Sequence, residues 1–390
     1  MAAIALDAFD AQAAVRRRAP AALPPPVLGR RTAFPWTALR PARAGPGAGH
    51  VHCVAPSGTG MASSVFAPMI ARDLAAGVGV TVIGGQGGEL APLVAAQGRA
   101  RGLPVTVWSP GTAEGGAWNP LSAWASAVEG AEALGCALGA LLPPGGGAAP
   151  GADLLRQAWG DDLAAVQVAL AALAADGGRD SSADAARGAL AARLSEALTA
   201  LLRPPLIRRA LCPQPGVPVI DMAQILRAKG AAIVDLPVRP DRPMAALLGG
   251  LWLAAAAAAA AARGPGTPHR IYVEDFPRMA GGQDAAAWLE RCAAGSVGLV
   301  MGSRSPEHVR SAGPAVAAAL RAAVPTQVFL RCGPEQAREL AEDWCGEPRL
   351  RAAALSELPF GFAIAQTAAR RDRRRLATLR LANVRRPAAL

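Results

Sequence analysis

The sequence predicts an α/β fold in which helices flank a largely parallel, doubly wound sheet. Short apolar runs of strand character alternate with segments that carry apolar residues at helical spacing. A glycine-rich turn joins the first of these strands to the first helix. Parallel strands require crossover connections, so the repeated strand–helix units place the strands side by side in one sheet.

Length and composition limit the classes of protein to consider. The chain has 390 residues, of which 52% are hydrophobic, enough for one large core or two ordinary ones. This excludes a peptide, a fibrous repeat and a fully disordered chain. The formal net charge of +11 favours acidic partners, such as nucleic acid or an anionic membrane surface. Lys229 is the one lysine of the sequence, which excludes chemistry that needs a lysine elsewhere.

The first third of the chain divides into an arm and a first block of strand–helix units. Residues 1–48 are rich in Arg and Pro and predict a poorly ordered or extended arm. The block at 49–121 is predicted as the first part of the core. Its strands are predicted at HVHCVA, GVTVI and PVTVW, and its helices at SSVFAPMIARDL and from Leu90 onward.

The rest of the chain is predicted as an insertion, a second block and a tail. Residues 122–214 are rich in Ala and Leu and predict an all-helical insertion. Residues 215–365 form the second part of the core, with strands at 231–236, 271–273, 298–302 and 326–330. Residues 366–390 form a basic tail, either a solvated helix face or a phosphate-binding segment. The candidate nucleic-acid ligands in this tail are Arg370, Arg371, Arg373, Arg374 and Arg375.

Two features indicate a cytoplasmic protein, or one that is peripheral at the inner membrane. The six cysteines are widely spaced, which argues against a disulfide framework and a zinc site. The N-terminal residues include Asp7 and Asp10, where an export signal would be basic and then apolar. An apolar run at 244–262 has the length of a membrane span, but its alanine content favours a buried helix. We therefore expect no integral membrane segment.

The loop between the first strand and the first helix lies where a phosphate-binding loop would lie. It consists of Pro56, Ser57, Gly58, Thr59, Gly60, Met61, Ala62 and Ser63. A working loop of this kind has a lysine for the β- and γ-phosphates and a hydroxyl for Mg²⁺. Met61 stands at the lysine position and Ala62 at the hydroxyl position. The alternative is a tight glycine turn that caps a helix and binds no phosphate.

The order of motifs across residues 49–362 resembles the TraG/TraD-like coupling ATPases of type IV secretion and conjugation. The shared features are a histidine before the first strand, the loop, an internal proline (Pro68), a glycine turn at 84–90 and an Asn-Pro-Leu turn at 119–121. The resemblance implies a RecA/FtsK-like P-loop NTPase fold of the HerA/FtsK branch. It also implies ATP and Mg²⁺ as ligands, although we expect weak binding at most and assign no firm cofactor.

The resemblance also assigns catalytic positions, of which the acidic pair and Arg304 depart from the family pattern and Arg291 matches it. The family has Asp then Glu at the end of its second acidic strand, where this chain has Glu274 and Asp275 in reversed order. Arg291 matches a helix-terminal arginine of the family. Arg304 stands where the family has a sensor glutamine. The alternatives from the residues alone are an acidic pair at a strand end and a surface arginine.

These departures predict a catalytically degenerate relative that acts by binding. Its expected partners are DNA through the basic termini, an intact motor ATPase, secretion-channel proteins, and other subunits of a homo- or hetero-oligomeric ring. Two alternatives stay open. One is a weak, unconventional ATPase in which Arg291 or Arg304 replaces the lysine. The other is a basic DNA-binding scaffold, for which the sheet is only a platform.

Overall fold

The computed structural model describes residues 27–31, 40–43, 49–85, 88, 90–110, 112, 115–119, 202–212, 215–236, 242–281, 284–344, 352–368 and 374–381. In this part of the chain, eleven strands form one sheet. They are β1 (Val27–Arg31), β2 (Arg40–Arg43), β3 (Val51–Val54), β4 (Gly79–Gly85), β5 (Val105–Trp108), β6 (Ala231–Leu236), β7 (His269–Val273), β8 (Val297–Ser303), β9 (Thr326–Leu330), β10 (Phe362–Ala368) and β11 (Arg374–Arg380). The strand order is β2-β1-β11-β10-β9-β3-β8-β7-β4-β6-β5.

The seven strands from β9 to β5 in this order run parallel to one another. Their sequences are short β-branched and apolar runs, such as the buried Thr326–Leu330 and His269–Val273, as expected for strands covered on both faces. The predicted α/β fold with a largely parallel sheet is confirmed.

Helices connect the strands of this parallel part and cover both of its faces. The helices of the described chain are α1 (Met61–Phe66, π-helical), α2 (Ala67–Ala75), α3 (Leu90–Ala100), α4 (Pro205–Leu211), α5 (Met222–Arg227), α6 (Arg242–Arg263), α7 (Phe276–Ala280), α8 (Ala285–Ala294), α9 (Pro306–Ser311), α10 (Pro314–Ala323), α11 (Pro334–Glu339), α12 (Leu340–Trp344, π-helical) and α13 (Ala352–Ser356).

Two hydrophobic clusters form the core, one on each face of the sheet. Helices α1 to α3 supply Phe66, Ile70 and Val94 to the cluster on one face. Helices α6, α8 and α10 supply Leu248 and Leu320, among others, to the larger cluster on the opposite face. Side chains alternate between the faces of a strand, so one set of strands serves both clusters.

The alanine-rich helix α6 is packed inside the protein. The segment Met244–Arg263 has the length and hydropathy of a membrane span, yet 83% of its most apolar window is buried. The small alanine side chains of α6 allow the backbone of neighbouring segments to approach closely. A Cβ added at Gly295 of the next layer would lie 2.3 Å from the carbonyl oxygen of Ala260. The expected buried helix is confirmed for this segment.

Both chain ends contribute strands, which differs from the predicted arm and basic tail. Strand β10 pairs antiparallel with β9 and β11, and β11 pairs antiparallel with β1. Leu379 and Leu381 are buried against the core, so the described part of this segment, 366–368 and 374–381, is not the solvated helix face that was one of the two predicted alternatives. The hydrophobic pattern of the sequence did not reveal these strands, because arginines outnumber the few apolar residues that face the core. Of the predicted tail ligands, Arg370, Arg371 and Arg373 lie outside the described residues, whereas Arg374 and Arg375 lie in β11.

The predicted helical insertion falls mostly outside the described residues. Its described end contains the helix α4, which packs beside β5. The indole Nε1 of Trp108 donates to the carbonyl oxygen of Ala210 at 3.1 Å, and the backbone nitrogen of Trp118 donates to the same oxygen at 2.7 Å. The end of this segment is therefore anchored to the edge of the sheet.

Candidate functional site

A cavity lies at the carboxyl ends of the neighbouring strands β3, β8 and β7. Its volume is about 620 Å³, a size typical of small-molecule sites. Ligand sites of α/β sheets occur at this edge, because the loops that follow the strands converge there. The cavity is lined by Ala55, Pro56, Ser57, Gly58, Gly60, Met61, Ala62, Ser63, Leu236, Ala245, Glu274, Asp275, Arg278, Met279 and Arg304.

The loop between β3 and α1 forms one wall of the cavity. Gly58 and Gly60 have φ angles of 81° and 90°, in the left-handed region that favours glycine. Thr59 closes the turn, since its hydroxyl donates to the carbonyl oxygen of Pro56 at 2.6 Å. The backbone nitrogen of Ser64 donates to the carbonyl oxygen of Gly60 at 2.8 Å, which starts the helical segment. The predicted loop lines the cavity except for Thr59.

Met61 occupies the floor of the cavity, at the position where a phosphate-binding loop would have its lysine. A Cβ added at Gly302 of β8 would lie 2.6 Å from Cε and 2.8 Å from Sδ of Met61. The thioether therefore lies directly on the backbone of β8 and packs against the core cluster. An apolar side chain at this place supplies neither the charge nor the hydrogen bonds that phosphate oxygens need.

The one lysine of the sequence lies at the amino ends of the strands, opposite the end that forms the cavity. Lys229 is exposed in the turn before β6, which is the amino end of that strand. The cavity is at the carboxyl ends of the same parallel strands. Lys229 therefore cannot replace the lysine that is absent at position 61.

Glu274 and Asp275 both line the cavity after β7, but their carboxylates face different neighbours. A Cβ added at Gly84 of β4 would lie 2.2 Å from Oε2 of Glu274, so that carboxylate lies over the end of β4. Asp275 faces β8 and the segment that follows it. The glycine at position 84 is required for this arrangement, because a larger side chain would displace Glu274.

Three nitrogen groups surround the carboxylate of Asp275. Its Oδ2 lies 3.1 Å from Nη1 of Arg278 and 3.2 Å from Nη2 of Arg304. Its Oδ1 lies 3.2 Å from Nε2 of His308. We call Asp275, Arg278, Arg304 and His308 the Asp275 cluster. Nitrogen-bearing side chains of the protein itself thus lie close to both oxygens of this carboxylate, although Oδ1 is buried and accepts no hydrogen bond.

The protonation state of His308 follows from its surroundings. Its Nδ1 accepts from the backbone nitrogen of Arg304 at 3.4 Å, so Nε2 carries the proton of the neutral ring, 3.2 Å from Oδ1 of Asp275 but without a hydrogen bond to it. Burial lowers the pKa of His308 below its usual 6.5, and Arg304 and Arg278 lower this pKa further, while Asp275 opposes them. His308 is therefore neutral near pH 7, and the two arginines carry the positive charge of the cluster.

The two predicted catalytic arginines lie in different places. Arg304 lines the cavity, and its carbonyl oxygen accepts from Nε2 of Gln336 at 2.8 Å, which fixes its backbone at the rim. Arg291 lies in the last turn of α8, at the amino end of β8, and does not line the cavity. The structure thus brings Arg304 together with Glu274 and Asp275 and leaves Arg291 apart.

Two members of the Asp275 cluster were not identified from the sequence. Arg278 follows Asp275 at i+3, a spacing that places both side chains on one face of a helical turn. This spacing could have identified Arg278 from the sequence. His308 is brought in by the helix α9, which Ser305 caps by accepting from the backbone nitrogen of His308 at 3.0 Å. Sequence spacing alone carries no signal for this long-range contact.

The residues of the cavity do not fit the Mg²⁺–nucleotide unit that the fold implies. Mg²⁺ prefers oxygen ligands in octahedral geometry, and Ala62 supplies none from its side chain. Asp275 is engaged by nitrogen donors, and two guanidinium groups would lie beside the dication. Among the described residues, no group of three or more His, Cys, Asp or Glu side chains is arranged to hold a metal. This set of residues suits an anion better than a divalent cation.

Comparison with solved structures identifies proteins of the same architecture. The plasmid coupling protein TrwB in complex with the non-hydrolysable ATP analogue ADPNP superposes with a TM-score of 0.61 at 14% identity, over 94% of this chain and 96% of that one. TrwB in complex with ADP and Mg²⁺ gives a TM-score of 0.60 at 14% identity, over 94% and 96%. VirB4 of Thermoanaerobacter pseudethanolicus gives 0.61 at 12% identity, over 93% and 97%.

Comparisons of sequence give a different result. No family model matches the chain, and no curated protein matches it. Identities of 12% to 14% fall in the range where a shared architecture persists after the sequences have diverged. The order of motifs in the sequence nevertheless predicted the same fold. The chain therefore has the TraG/TraD-like coupling ATPase fold, as seen in TrwB and VirB4.

Proposed function

We propose that this protein is a non-hydrolysing subunit of a type IV secretion or conjugation machine that translocates DNA or protein. It keeps the framework of the motor fold and the cavity at the carboxyl ends of the strands. It acts by binding, as a silent or regulatory member of the assembly. This proposal combines the fold with the chemistry of the cavity, since fold alone does not determine activity.

The single observation that carries the proposal is the engagement of Asp275 by three nitrogen groups within 3.2 Å. In an active motor the acidic residues at this strand end hold the metal shell and polarise water. Here the carboxylate is neutralised by its neighbours, and Met61 and Ala62 remove the other two contributions. The absence of each electrostatic contribution costs about 10²-fold in rate, and all three act on one transition state.

The expected partners are other components of the translocation machine. We propose an intact motor ATPase or a channel component as the binding partner, in a homo- or hetero-oligomeric ring. We place the protein in the cytoplasm or against the inner membrane, since its long apolar helix α6 is buried inside the fold. Co-purification of the full chain with the other components of the machine tests this assignment.

The alternative of a weak, unconventional ATPase now depends on Arg304 alone. This side chain lines the cavity, whereas Arg291 lies at the far end of β8. Arg304 is paired with Asp275 at 3.2 Å, so its charge is partly compensated before any ligand arrives. The geometry favours binding over turnover.

Phosphate release from ATP tests the proposal. Purified protein is incubated with Mg²⁺ and ATP beside three variants: Met61→Lys, Met61→Lys/Ala62→Thr, and that pair combined with Glu274→Asp and Asp275→Glu. We expect no release above background from the wild type and from Met61→Lys, and the highest chance of turnover in the fourfold variant. Turnover by the wild type that is abolished by Arg304→Gln would favour the unconventional ATPase.

A second candidate function, DNA binding, is supported by the register of the terminal strands. Arg30 of β1 lies opposite Arg380 of β11, and Arg31 lies opposite Arg40 of β2. Arginines from the two ends of the chain are therefore neighbours on one antiparallel extension of the sheet. Clustered arginines bind phosphates without reading sequence.

A salt series separates DNA from an acidic protein partner as the ligand of this extension. Deleting residues 366–390 would remove the buried Leu379 and Leu381, so substitutions are preferable. The variant Arg375→Gln/Arg380→Gln should flatten the slope of log affinity against log salt by about 0.9 for each phosphate that is no longer neutralised. Arg99→Gln/Arg101→Gln is the matched control, since Arg99 of α3 and Arg101 in the turn after it are both exposed. A slope that does not change would favour the protein partner.

A further inference from the structure

The Asp275 cluster combines two features that a purely structural ion pair does not need. Arg304 and Arg278 line the cavity, and their side chains remain 54% and 28% exposed. Both guanidinium groups approach the same oxygen, Oδ2 of Asp275. One carboxylate is thus shared by two arginines, each of which has more donors than this interaction uses.

We propose that the cavity binds the polyphosphate group of a nucleotide without a divalent metal. Arg278 and Arg304 are the phosphate ligands, and Asp275 is an internal competitor that holds the two arginines until the anion replaces it. The inference rests on the proposed function, in that both take the cavity to be unable to hold the Mg²⁺–nucleotide unit.

The chemistry of arginine supports this assignment. A guanidinium group presents planar, paired donors that match phosphate oxygens, and it stays charged at any physiological pH. Arg304 and Arg278 are partly exposed, and ion pairs of partly exposed groups contribute little free energy, so leaving Asp275 costs these two arginines little. A phosphate also carries more negative charge than the carboxylate that it replaces. The exchange is therefore favourable when the anion bears two or more phosphates.

The shape of the cavity supports the same ligand class. The glycine turn at Gly58 and Gly60 faces the cavity from one side, and the arginines face it from the segments that follow β7 and β8. Leu236, Ala245 and Met279 provide an apolar part, which suits a base or a ribose better than a bare inorganic ion. A volume of about 620 Å³ accommodates a nucleoside diphosphate.

The position of Asp275 gives the proposal a distinctive consequence. In the cavity, Glu274 and Asp275 balance the formal charges of Arg278 and Arg304. Replacing Asp275 with asparagine removes one negative charge and frees both arginines. Binding of the anion should therefore become tighter. In a site that depends on Mg²⁺, the same substitution would weaken binding, because the acidic residue would be part of the metal shell.

Calorimetry with three probes tests the proposal on the full chain. The probes are ADP, pyrophosphate and adenosine, each titrated with EDTA and again with Mg²⁺. We expect ADP to bind equally well in both buffers and Asp275→Asn to tighten this binding about tenfold or more. Arg278→Gln and Arg304→Gln should each weaken it about tenfold. Pyrophosphate binding as tight as that of ADP would show that phosphates alone are recognised, and adenosine is expected not to bind.

A matched control separates the cavity from general surface charge. Arg310 is 52% exposed, pairs with Glu339 and does not line the cavity. Arg310→Gln should leave the affinity for ADP unchanged. Thermal melts of every variant confirm that it is folded.

Two results would overturn the inference. The first is the absence of ADP and pyrophosphate binding in both the wild type and Asp275→Asn. The second is binding that requires Mg²⁺ and disappears in Asp275→Asn. The first result leaves the non-hydrolysing role intact, because that role is measured by phosphate release. Mg²⁺-dependent binding accompanied by turnover would overturn both.

Discussion

Among the described residues, Asp73 inside the fold and Asp275 at the cavity both contact arginines. Asp73 of α2 pairs with Arg270 of β7, and the side chains are 8% and 0% exposed. The hydroxyl of Tyr272 donates to Oδ2 of Asp73 at 2.5 Å. Asp275 makes the same kind of pair with Arg304, whose side chain is 54% exposed. The comparison shows that burial fixes the pair of Asp73 and Arg270, whereas the partly exposed Arg304 can exchange Asp275 for another anion.

The buried group is fixed because each member would be costly to leave alone. An uncompensated charge inside a protein carries a large desolvation penalty. Burial, followed by the neighbouring Asp73 carboxylate, raises the pKa of Tyr272 well above 10, so this side chain stays a protonated donor. At the cavity, water can solvate Arg304 when its partner leaves. The exposed pair can therefore serve binding, whereas the buried pair serves stability.

Removing one partner of each pair should give the largest difference. Arg270→Ala leaves Asp73 buried without its cation and should lower the free energy of unfolding by about 3–5 kcal/mol. Arg304→Ala should lower it by less than about 1 kcal/mol. Urea denaturation of both variants checks this. Equal reductions of the free energy of unfolding in the two variants would contradict the distinction between a fixed buried pair and an exchangeable exposed pair.

Acidification should act mainly on the buried region. Burial lowers the pKa of His50 and His52 to about 4 and that of His269 to about 3, from a usual value of 6.5. The unfolded chain therefore takes up protons below pH 6.5 that the folded chain does not. Stability is full above this pH and falls toward pH 4, by about 1.4 kcal/mol per pH unit for each of these histidines.

Urea denaturation at about pH 7 and about pH 5 measures this decrease. His52 accepts from the hydroxyl of Ser303 at 2.8 Å and contacts Gln327 at 2.9 Å, so its neutral form is part of a buried network. His52→Gln removes one titrating group and should reduce the pH dependence by about a third. His308→Gln should change it less, since the Asp275 cluster is partly exposed. A stability that is the same at both pH values would show that these histidines titrate normally.

Substitutions at the floor of the cavity should lower the free energy of unfolding as substitutions in the buried region do, and by more than substitutions at the exposed rim. A Cβ at Gly302 would lie 2.7 Å from the carbonyl oxygen of Glu274, besides its approach to Met61. Gly302→Ala should therefore cost about 1–3 kcal/mol through overpacking. Gly333→Ala is the control, because no atom lies within 4 Å of an added Cβ and its φ is −65°. Thermal or urea unfolding of both variants checks the difference, and a neutral Gly302→Ala would mean that Met61 moves freely.

The same contrast explains what sequence could and could not predict. The segments 231–236 and 326–330 are strands with the predicted bounds, because continuous apolar runs mark parallel strands covered on both faces. The position of the loop at Met61 and of Glu274 and Asp275 followed from the order of motifs. The interaction between Asp275 and His308 did not, because it depends on how α9 packs against α7 and β8. Strands β10 and β11 were missed, since their pattern is set by pairing rather than by hydrophobicity.

The most direct test of the central claim, that the cavity binds but does not hydrolyse, is phosphate release by Met61→Lys compared with the wild type. Each protein is assayed with ATP and Mg²⁺ at a concentration where thermal melts show it to be folded. Because Asp275 stays engaged by Arg278, Arg304 and His308, the restored lysine should leave release at background. Release by Met61→Lys alone at rates of about 1 s⁻¹ or more, typical of active enzymes, would contradict the account.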